Sequence, residues 1–304
     1  MIEIGLGSVQ SWECDVMGHM NVQFYVARMS DSLPALLTAL EFGPRRCRAL
    51  DIELVPVDQH IRFLKELRPG EPFTILGGVL AVSEDRLRLY QELRNTLTGA
   101  TAASFVTEAV LVDAERRRGC VPLSDALRAA AEARIEALPD YAKPRGLSLD
   151  APRPRPNWDE ADGLGLMLTQ QGAVSPGECD PRGFMVTRAV IGRVADSVPN
   201  MVAKTRGVDR SADRNGGGAA LEYRLVYHAT PRQGDVLALR AGIKAIGSKA
   251  FTWGHWLFDR ETGEAVATTE AVAVAFDMAT RKAIEIAPAM RESLARFLVP
   301  GLGV

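Results

Sequence analysis

Apolar side chains recur at spacings of three and four residues from about position 21 to 40, which indicates a helix with one buried face. Asn21 suits the N-cap of this helix, and the Gly43-Pro44 pair suits its end. Strand-like segments separated by turn residues surround it. We place strands at about 4–13, 53–67, 71–83, 86–95 and 102–113, and a closing amphipathic helix at about 122–138.

The second half of the chain repeats this order of elements. After a short strand we expect a long helix at about 186–204. Strands then follow at about 220–230, 235–246, 250–259 and 265–277, and a short helix at about 288–298. Each half thus predicts a long helix covering the apolar face of an antiparallel sheet.

A proline-bearing segment separates the two halves. Residues 140–172 include Pro144, Pro152, Pro154 and Pro156, which indicates an extended linker stiffened by proline. The predicted organisation is therefore an N-terminal domain at 1–139, a linker at 140–172 and a C-terminal domain at 173–304.

The two halves also repeat in the residues themselves, at a period of 165. The turn Asp15-Val16-Met17-Gly18-His19-Met20-Asn21 returns as Asp180-Pro181-Arg182-Gly183-Phe184-Met185-Val186. The second copy keeps the aspartate and the glycine but has lost the histidine and the asparagine. Chemistry that needs all four residues is therefore expected in the first copy.

Bulk composition narrows the class of protein. The chain has 304 residues, 47% of them hydrophobic and 24% charged, which suits two globular domains with their own cores. A formal charge of −2 does not favour nucleic acid or an anionic membrane as a partner. The sequence has no leader-like N-terminus, no apolar run of membrane-spanning length and four scattered cysteines, so we expect reduced thiols in a cytoplasmic protein.

The turn motif resembles that of 4-hydroxybenzoyl-CoA thioesterase-like proteins of the hotdog superfamily. A strand, an Asp-x-x-Gly-His-x-Asn turn and a long helix with a tyrosine match it here through Asp15, Gly18, His19, Asn21 and Tyr25. Residues 31–34 also resemble a helix segment of acyl-ACP thioesterases, which are tandem hotdog proteins. The resemblance implies an α+β protein of two tandem hotdog domains, each a long helix wrapped by an antiparallel sheet, that form an internal pseudo-dimer.

This resemblance implies a thioesterase that hydrolyses an acyl-CoA or acyl-carrier-protein thioester to a free acid and a thiol. In the family the motif aspartate is a nucleophile or a general base, which assigns that role to Asp15. A carboxylate at the start of a helix lies near free N–H groups, and we expect the backbone of residues 18–20 to stabilise an oxyanion. Gly18 allows close backbone approach, and His19 and Asn21 orient water, the carbonyl or the aspartate. No metal or redox cofactor is needed, and coenzyme A enters as part of the substrate.

Other residues are candidates with simpler explanations beside them. Asp180 and Gly183 form a candidate site in the second copy. The absence of the histidine and the asparagine from this copy favours a degenerate site. Asp31 and Asp196 are reserve catalytic candidates, because another hotdog branch uses a helix carboxylate; an ion pair to the arginine three residues earlier explains both without function. Tyr25 lies on the apolar stripe and also suits the core.

Two basic loops follow the long helices. Their candidates for binding coenzyme A phosphates are Arg45, Arg46, Arg210 and Arg214. An ordinary solvated loop is the alternative, and no cluster has metal-ligand spacing.

Two rival functions remain open. A hotdog enoyl-CoA hydratase or dehydratase is expected to have its histidine five residues after the aspartate, whereas His19 follows Asp15 by four. A non-catalytic acyl-thioester binding protein is the other rival. The expected partner is a small-molecule acyl thioester, and a homodimer of tandem chains is left open.

Overall fold

The chain divides into two compact units, Met1–Lys143 and Pro144–Val304. The structure, a computed structural model, describes residues 1–206, 216–277, 280 and 282–304. Each unit contains one long helix and an antiparallel sheet, which confirms the predicted α+β class and the hotdog fold of each half. No helix in the described part of the chain combines the length and apolar character needed to cross a membrane.

The first unit opens with a strand and a 3₁₀ turn that lead into its long helix. Its elements are β1 (Ile2–Ser8), the 3₁₀ turn (Ser11–Glu13), α1 (Val22–Ala39), α2 (Pro44–Ala49), β2 (Ile52–Phe63), β3 (Pro72–Val82), β4 (Arg86–Asn95), β5 (Thr101–Asp113) and α3 (Asp125–Glu132). The strands pair antiparallel in the order β1-β3-β4-β5-β2. The sheet therefore brings the loop after β2 close to the end of β1, because β3 continues from that loop and pairs with β1.

Helix α1 is held by its cap and by its apolar face. The side-chain oxygen of Asn21 accepts the N–H of Gln23, which confirms the predicted N-cap. The buried residues follow the helical spacing: Tyr25, Val26, Met29, Leu36 and Leu37. This face packs against β1, β3 and β4. The N-terminal end of the helix is consequently fixed next to the turn of residues 14–20.

The second unit repeats the arrangement. Its elements are α4 (Trp158–Gly163), β6 (Met167–Ala173), a 3₁₀ turn (Pro176–Glu178), α5 (Thr187–Arg206), β7 (Gly216–Tyr227), β8 (Val236–Ile246), β9 (Ala250–Asp259), β10 (Ala265–Asp277) and α6 (Pro288–Ala295). Among the described residues the strands pair antiparallel in the order β6-β8-β9-β10-β7. β6 therefore takes the edge position that β1 takes in the first unit.

The predicted linker is shorter than the sequence suggested. Residues 140–172 include the helix α4 and most of β6, so an extended linker over the whole range is wrong. Met167 and Thr169 are buried while Leu168 is exposed, and this alternation makes a strand that pairs with β8. The proline-bearing part is bound to the second unit, because the N–H groups of Arg145 and Gly146 donate to the buried carboxylate of Glu222.

Two other predicted elements differ from the structure. The basic loop expected after α1 is the short helix α2, which starts with Pro44 after Gly43. The helix expected at 122–138 is limited to α3, because Ser124 caps it by accepting the N–H of Leu127.

Candidate active site

The turn that joins β1 to α1 is closed at its base by backbone hydrogen bonds. Cys14 and Met20 form an antiparallel bridge, and the N–H of Asn21 donates to the carbonyl of Glu13 at 2.8 Å. The N–H of Met20 donates to the carbonyl of Leu67 at 2.8 Å. The turn is therefore held both to the start of α1 and to the loop between β2 and β3.

Inside the turn the backbone presents Asp15 toward His19. The N–H of Asp15 donates to the carbonyl of His19, and the N–H of Gly18 donates to the carbonyl of Asp15, both at 3.0 Å. Gly18 has a φ of +76°, in the left-handed region that favours glycine. A Cβ built there would meet no atom within 4 Å. The backbone conformation, rather than crowding, therefore explains the glycine in this structure.

Three ionisable side chains meet at this turn. Nε2 of His19 lies 3.7 Å from Oδ2 of Asp15, and Nδ1 of His19 lies 3.7 Å from Oε1 of Glu66. The side chains are 18% exposed for His19, 28% for Asp15 and 35% for Glu66, so solvent and substrate can reach them. The other carboxylate oxygen of Asp15 accepts the N–H of Met17 at 2.8 Å. The imidazole thus lies between two carboxylates, at distances longer than hydrogen bonds.

Glu66 was missed by the sequence analysis, although the repeat contains a signal for it. The N–H of Met185 donates to the carbonyl of Pro231, as Met20 donates to Leu67 in the first copy. The residue before Pro231 is Thr230, which therefore occupies the place of Glu66. The second copy lacks the glutamate as well as the histidine, as expected if these two residues act together.

Asn21 and Tyr25, two candidate residues next to the turn, make contacts that stabilise the fold. Asn21 is close to the site, but its side-chain oxygen caps α1 by accepting the N–H of Gln23 at 3.1 Å. Tyr25 is buried, its ring meets Phe63 edge-on at 5.3 Å, and its hydroxyl accepts the N–H of Leu67 at 3.1 Å. Burial raises the pKa of Tyr25, with a smaller opposing effect of that hydrogen bond. Tyr25 is therefore a core residue that supports the loop leading to Glu66.

The backbone N–H groups of the turn are only partly available for an oxyanion. Those of Gly18 and Met20 already donate to carbonyl oxygens. Within residues 18–20 of the described chain, the N–H of His19 makes no backbone hydrogen bond. The predicted oxyanion donors are thereby reduced to this one amide in that stretch.

The second copy has the same backbone turn around different side chains. Gly183 has a φ of +80°, and the N–H of Asp180 donates to the carbonyl of Phe184 at 2.9 Å. One carboxylate oxygen of Asp180 accepts the N–H groups of both Arg182 and Phe184, at 2.9 and 3.0 Å. Phe184 is buried, and the guanidinium of Arg232 lies 4.3 Å from its ring centroid. In the described residues this turn places an aromatic side chain where the first copy places His19.

Asp31 and Asp196, the reserve candidates, lie away from the turn. Their predicted ion pairs with Arg28 and Arg193 are wrong. Arg28 pairs with Glu13 at 2.7 Å, and Arg193 pairs with Glu178 at 2.7 Å. The four paired residues repeat at the same period as the turn, so the pairs could have been found by comparing the two copies.

Asp31 and Asp196 are exposed on their helices. By the rise of an α-helix, Asp31 lies about 15 Å along α1 from Asn21. The structure therefore does not bring this carboxylate together with Asp15 in the first unit.

The phosphate-binding candidates divide between described and undescribed residues. Arg45 and Arg46 are exposed on α2, and the guanidinium of Arg46 lies 5.3 Å from the ring centroid of Phe42. Within the first unit they follow the far end of α1, about 27 Å along its axis from the turn. Arg210 and Arg214 lie outside the described residues. A role in phosphate binding stays a prediction for all four.

The surroundings of Cys14, the cysteine next to Asp15, disfavour its thiolate form. Burial raises the pKa of the Cys14 thiol, and the negative charges of Asp15 and Glu13 raise it further. Because the thiolate is the reactive form, this environment disfavours a covalent role for Cys14. Asp15 stays the candidate reacting group at the turn.

Comparison with known proteins places the chain in a family. A model of the thioesterase-like superfamily matches residues 9–136 and again residues 174–294, so that both units are covered. The chain belongs to the thioesterase-like superfamily. A comparison with curated proteins finds no significant match to the chain.

Several solved structures share its fold over nearly the whole length. An oleoyl thioesterase (putative) from Lactobacillus plantarum matches with a TM-score of 0.68 and 15% identity, over 90% of this chain and 95% of that one. The 12:0-ACP thioesterase from Umbellularia californica matches with a TM-score of 0.67 and 14% identity, over 90% and 93%. An acyl-ACP thioesterase from Bacteroides thetaiotaomicron matches with a TM-score of 0.62 and 11% identity, over 88% and 96%. At these identities the likeness shows a common fold.

Proposed function

We propose that this chain hydrolyses an acyl thioester to a free acid and a thiol at the turn of its first unit. Membership of the thioesterase-like superfamily supports the reaction class. The observation that carries the assignment to this turn is the position of His19, 3.7 Å from the carboxylates of both Asp15 and Glu66. The solved relatives that share the fold bear the names of oleoyl and acyl-ACP thioesterases.

In this proposal Asp15 is the reacting group. Its carboxylate either takes a proton from the water that attacks the thioester carbonyl or attacks that carbonyl itself to form an anhydride, which water then hydrolyses. In both routes the carbon–sulfur bond breaks, the thiolate leaves and takes up a proton, and the acyl group departs as a carboxylic acid. The N–H of His19 is the amide of the turn that is placed to stabilise the oxyanion.

His19 and Glu66 support this step electrostatically. A carboxylate next to one ring nitrogen orients an imidazole and selects which nitrogen bears the proton. With the proton on Nδ1 facing Glu66, the lone pair of Nε2 can accept a hydrogen bond from the water near Asp15. The 3.7 Å separation between Nδ1 and Glu66 is expected to shorten to a hydrogen bond when substrate excludes water from the turn.

The carrier of the acyl group is proposed to be coenzyme A, with the acyl carrier protein as the alternative. Guanidinium binds phosphate well, so Arg45 and Arg46, exposed on α2 beyond the far end of α1, are the candidate contacts for a carrier that extends about 27 Å from the turn. Two substrates with the same acyl chain, one on coenzyme A and one on the acyl carrier protein, distinguish the two carriers. If Arg45→Ala with Arg46→Ala raises KM for the acyl-CoA alone, coenzyme A is the carrier that these residues recognise. Equal effects on both substrates would remove the phosphate assignment.

The reaction is tested by measuring free thiol released from a panel of acyl-CoA and acyl-carrier thioesters. The proposal expects turnover by the purified chain and a loss of about a hundredfold or more in kcat for Asp15→Asn. The matched variant Asp180→Asn is expected to keep the activity, because the second turn lacks the histidine, asparagine and glutamate.

Other outcomes identify the rival functions. Loss of enoyl absorbance without thiol release would support a hydratase. Tight binding of acyl-CoA with no turnover would support a binding protein. Full activity in Asp15→Asn would overturn the assignment of the site.

A further inference from the structure

We propose that the ion pair between Glu13 and Arg28 is a positioning pair, which holds the turn of Asp15 and His19 in its reactive orientation on helix α1. Neither residue is a catalytic group in this proposal. Its kinetic consequences rest on the proposed thioesterase function, whereas its structural consequences can be measured without any substrate.

The pair joins the turn to the body of the helix. One carboxylate oxygen of Glu13 lies 2.7 Å from a terminal nitrogen of Arg28, and the other accepts the N–H of Gln10 at 2.8 Å. The backbone carbonyl of Glu13 accepts the N–H of Asn21, the N-cap of α1. Glu13 therefore contacts the strand side of the turn, the start of the helix and its second turn.

Glu13 is well placed to transmit a displacement to the reacting groups. It is only 3% exposed and directly precedes Cys14, which forms the bridge that closes the turn. Within the turn the imidazole of His19 has no direct hydrogen bond to the carboxylate of Asp15 or of Glu66, because both separations are 3.7 Å. The geometry of these side chains therefore depends on how the turn is anchored. A misplacement of about 1 Å can cost an enzyme on the order of a hundredfold in rate.

The second unit contains the same pair in a stronger form. Nε and a terminal nitrogen of Arg193 donate to the two carboxylate oxygens of Glu178, at 2.7 and 2.9 Å. Arg193 also donates to the carbonyls of Gly172 and Ala173 in β6. Arg193 and Glu178 thus form a bidentate ion pair, and hydrogen bonds to backbone carbonyls hold the guanidinium in addition.

The first pair has less support than the second. Arg28 meets Glu13 through one terminal nitrogen, and its buried Nε has no hydrogen-bond partner among the described residues. Its side chain is 32% exposed, compared with 5% for that of Arg193. The turn with the complete motif is therefore held by a pair with fewer additional contacts, so that little else holds Arg28 against the turn once the pair is broken.

The repeat supplies a matched control within the same molecule. Glu13→Gln and Glu178→Gln remove the same charge at the same place in the two copies. Both variants are expected to lower the thermal midpoint, Glu178→Gln at least as much as Glu13→Gln. Only Glu13→Gln is expected to lower kcat, about tenfold, with KM changed less than twofold. This split indicates lost orientation in the transition state rather than lost substrate binding.

A double-mutant cycle tests whether the pair acts as a unit. Glu13→Gln combined with Arg28→Met is expected to lose no more kcat than the larger of the two single effects. The proposal is overturned if the two losses simply multiply, or if Glu178→Gln lowers kcat as much as Glu13→Gln does.

A measurement without substrate separates this proposal from the thioesterase function. The chain has four histidines, so the imidazole NMR signals of His19 can be assigned by comparison with His19→Asn. At one fixed pH, Glu13→Gln is expected to shift the signals of His19, and Glu178→Gln to leave them unchanged. Unshifted signals in Glu13→Gln would overturn the positioning role even if the protein is an active thioesterase. A shift together with no turnover in the wild type would retain the positioning role and refute the thioesterase.

Discussion

Oε1 of Glu66 lies 3.7 Å from Nδ1 of His19, although the two residues are far apart along the chain. The contact forms because the N–H of Met20 donates to the carbonyl of Leu67, the residue after Glu66. A backbone hydrogen bond between the turn and the loop after β2 therefore completes a group of Asp15, His19 and Glu66. The second copy keeps the equivalent backbone bond and has Thr230 in place of the glutamate.

Glu66→Gln is expected to lower kcat about tenfold to a hundredfold while KM stays within a factor of about three, because the imidazole loses the charge that orients it. Steady-state thiol release measures both constants. Glu71→Gln is the control, since Glu71 lies on the same loop and accepts the N–H of Arg68 at 2.8 Å. If both variants behave alike, the effect belongs to the loop and the role of Glu66 is refuted.

Gly18→Ala and Gly183→Ala are expected to cost a similar amount of stability, about 1–2 kcal/mol each, because an L-residue is strained at positive φ. The free energy of unfolding from urea titration measures this cost. Only Gly18→Ala should also reduce thiol release, since it distorts the turn that presents Asp15. An active Gly18→Ala variant with the predicted loss of stability would show that the turn tolerates distortion during catalysis.

Tyr25→Phe is expected to destabilise the protein by about 1–3 kcal/mol, because the buried N–H of Leu67 loses its acceptor. The change removes one oxygen and leaves the ring packing against Phe63 in place. Urea unfolding gives the energy, and amide hydrogen exchange reports whether the N–H of Leu67 becomes less protected. Unchanged protection would mean that water replaces the hydroxyl.

The stability of the protein is expected to fall in acid partly because of His255. Burial lowers the pKa of this imidazole to about 3 in the folded protein, while an unfolded histidine titrates near 6.5. The unfolded chain therefore binds the proton first as the pH falls. The contribution of the neutral His255 to the free energy of unfolding is complete above about pH 6.5. It is lost between there and about pH 3, at about 1.4 kcal/mol per pH unit.

His255→Gln is the matched variant for this prediction. Gln91 occupies the equivalent place in the first copy, where its amide donates to the carbonyl of Met29 and to the hydroxyl of Ser32. The variant should lose stability less steeply between pH 6 and pH 4. His228, whose pKa burial and then Arg155 lower to about 4, is present in both proteins and cancels in the difference. Identical pH dependence in the two proteins would contradict a neutral buried His255.

The pattern of apolar and turn residues along the chain is sufficient to predict most of the fold. The helical spacing of residues 21–40 predicted α1, and the turn residues between apolar runs placed β3, β4, β8, β9 and β10 within about a residue of their ends. These features depend on neighbours in the chain, whose periodicity is that of the element itself. The segment of β6 was assigned to the linker because proline and charge dominate the residues before it.

The sequence by itself determined the tandem repeat, the antiparallel sheets with their long helices and the turn that contains Asp15, Gly18 and His19. Only the tertiary structure decided which side chains meet that turn. Glu66 reaches His19, and Arg28 pairs with Glu13 rather than with Asp31, because strand pairing and helix packing bring distant segments together. No spacing in one copy of the sequence encodes such distances, since they depend on how the chain folds back on itself.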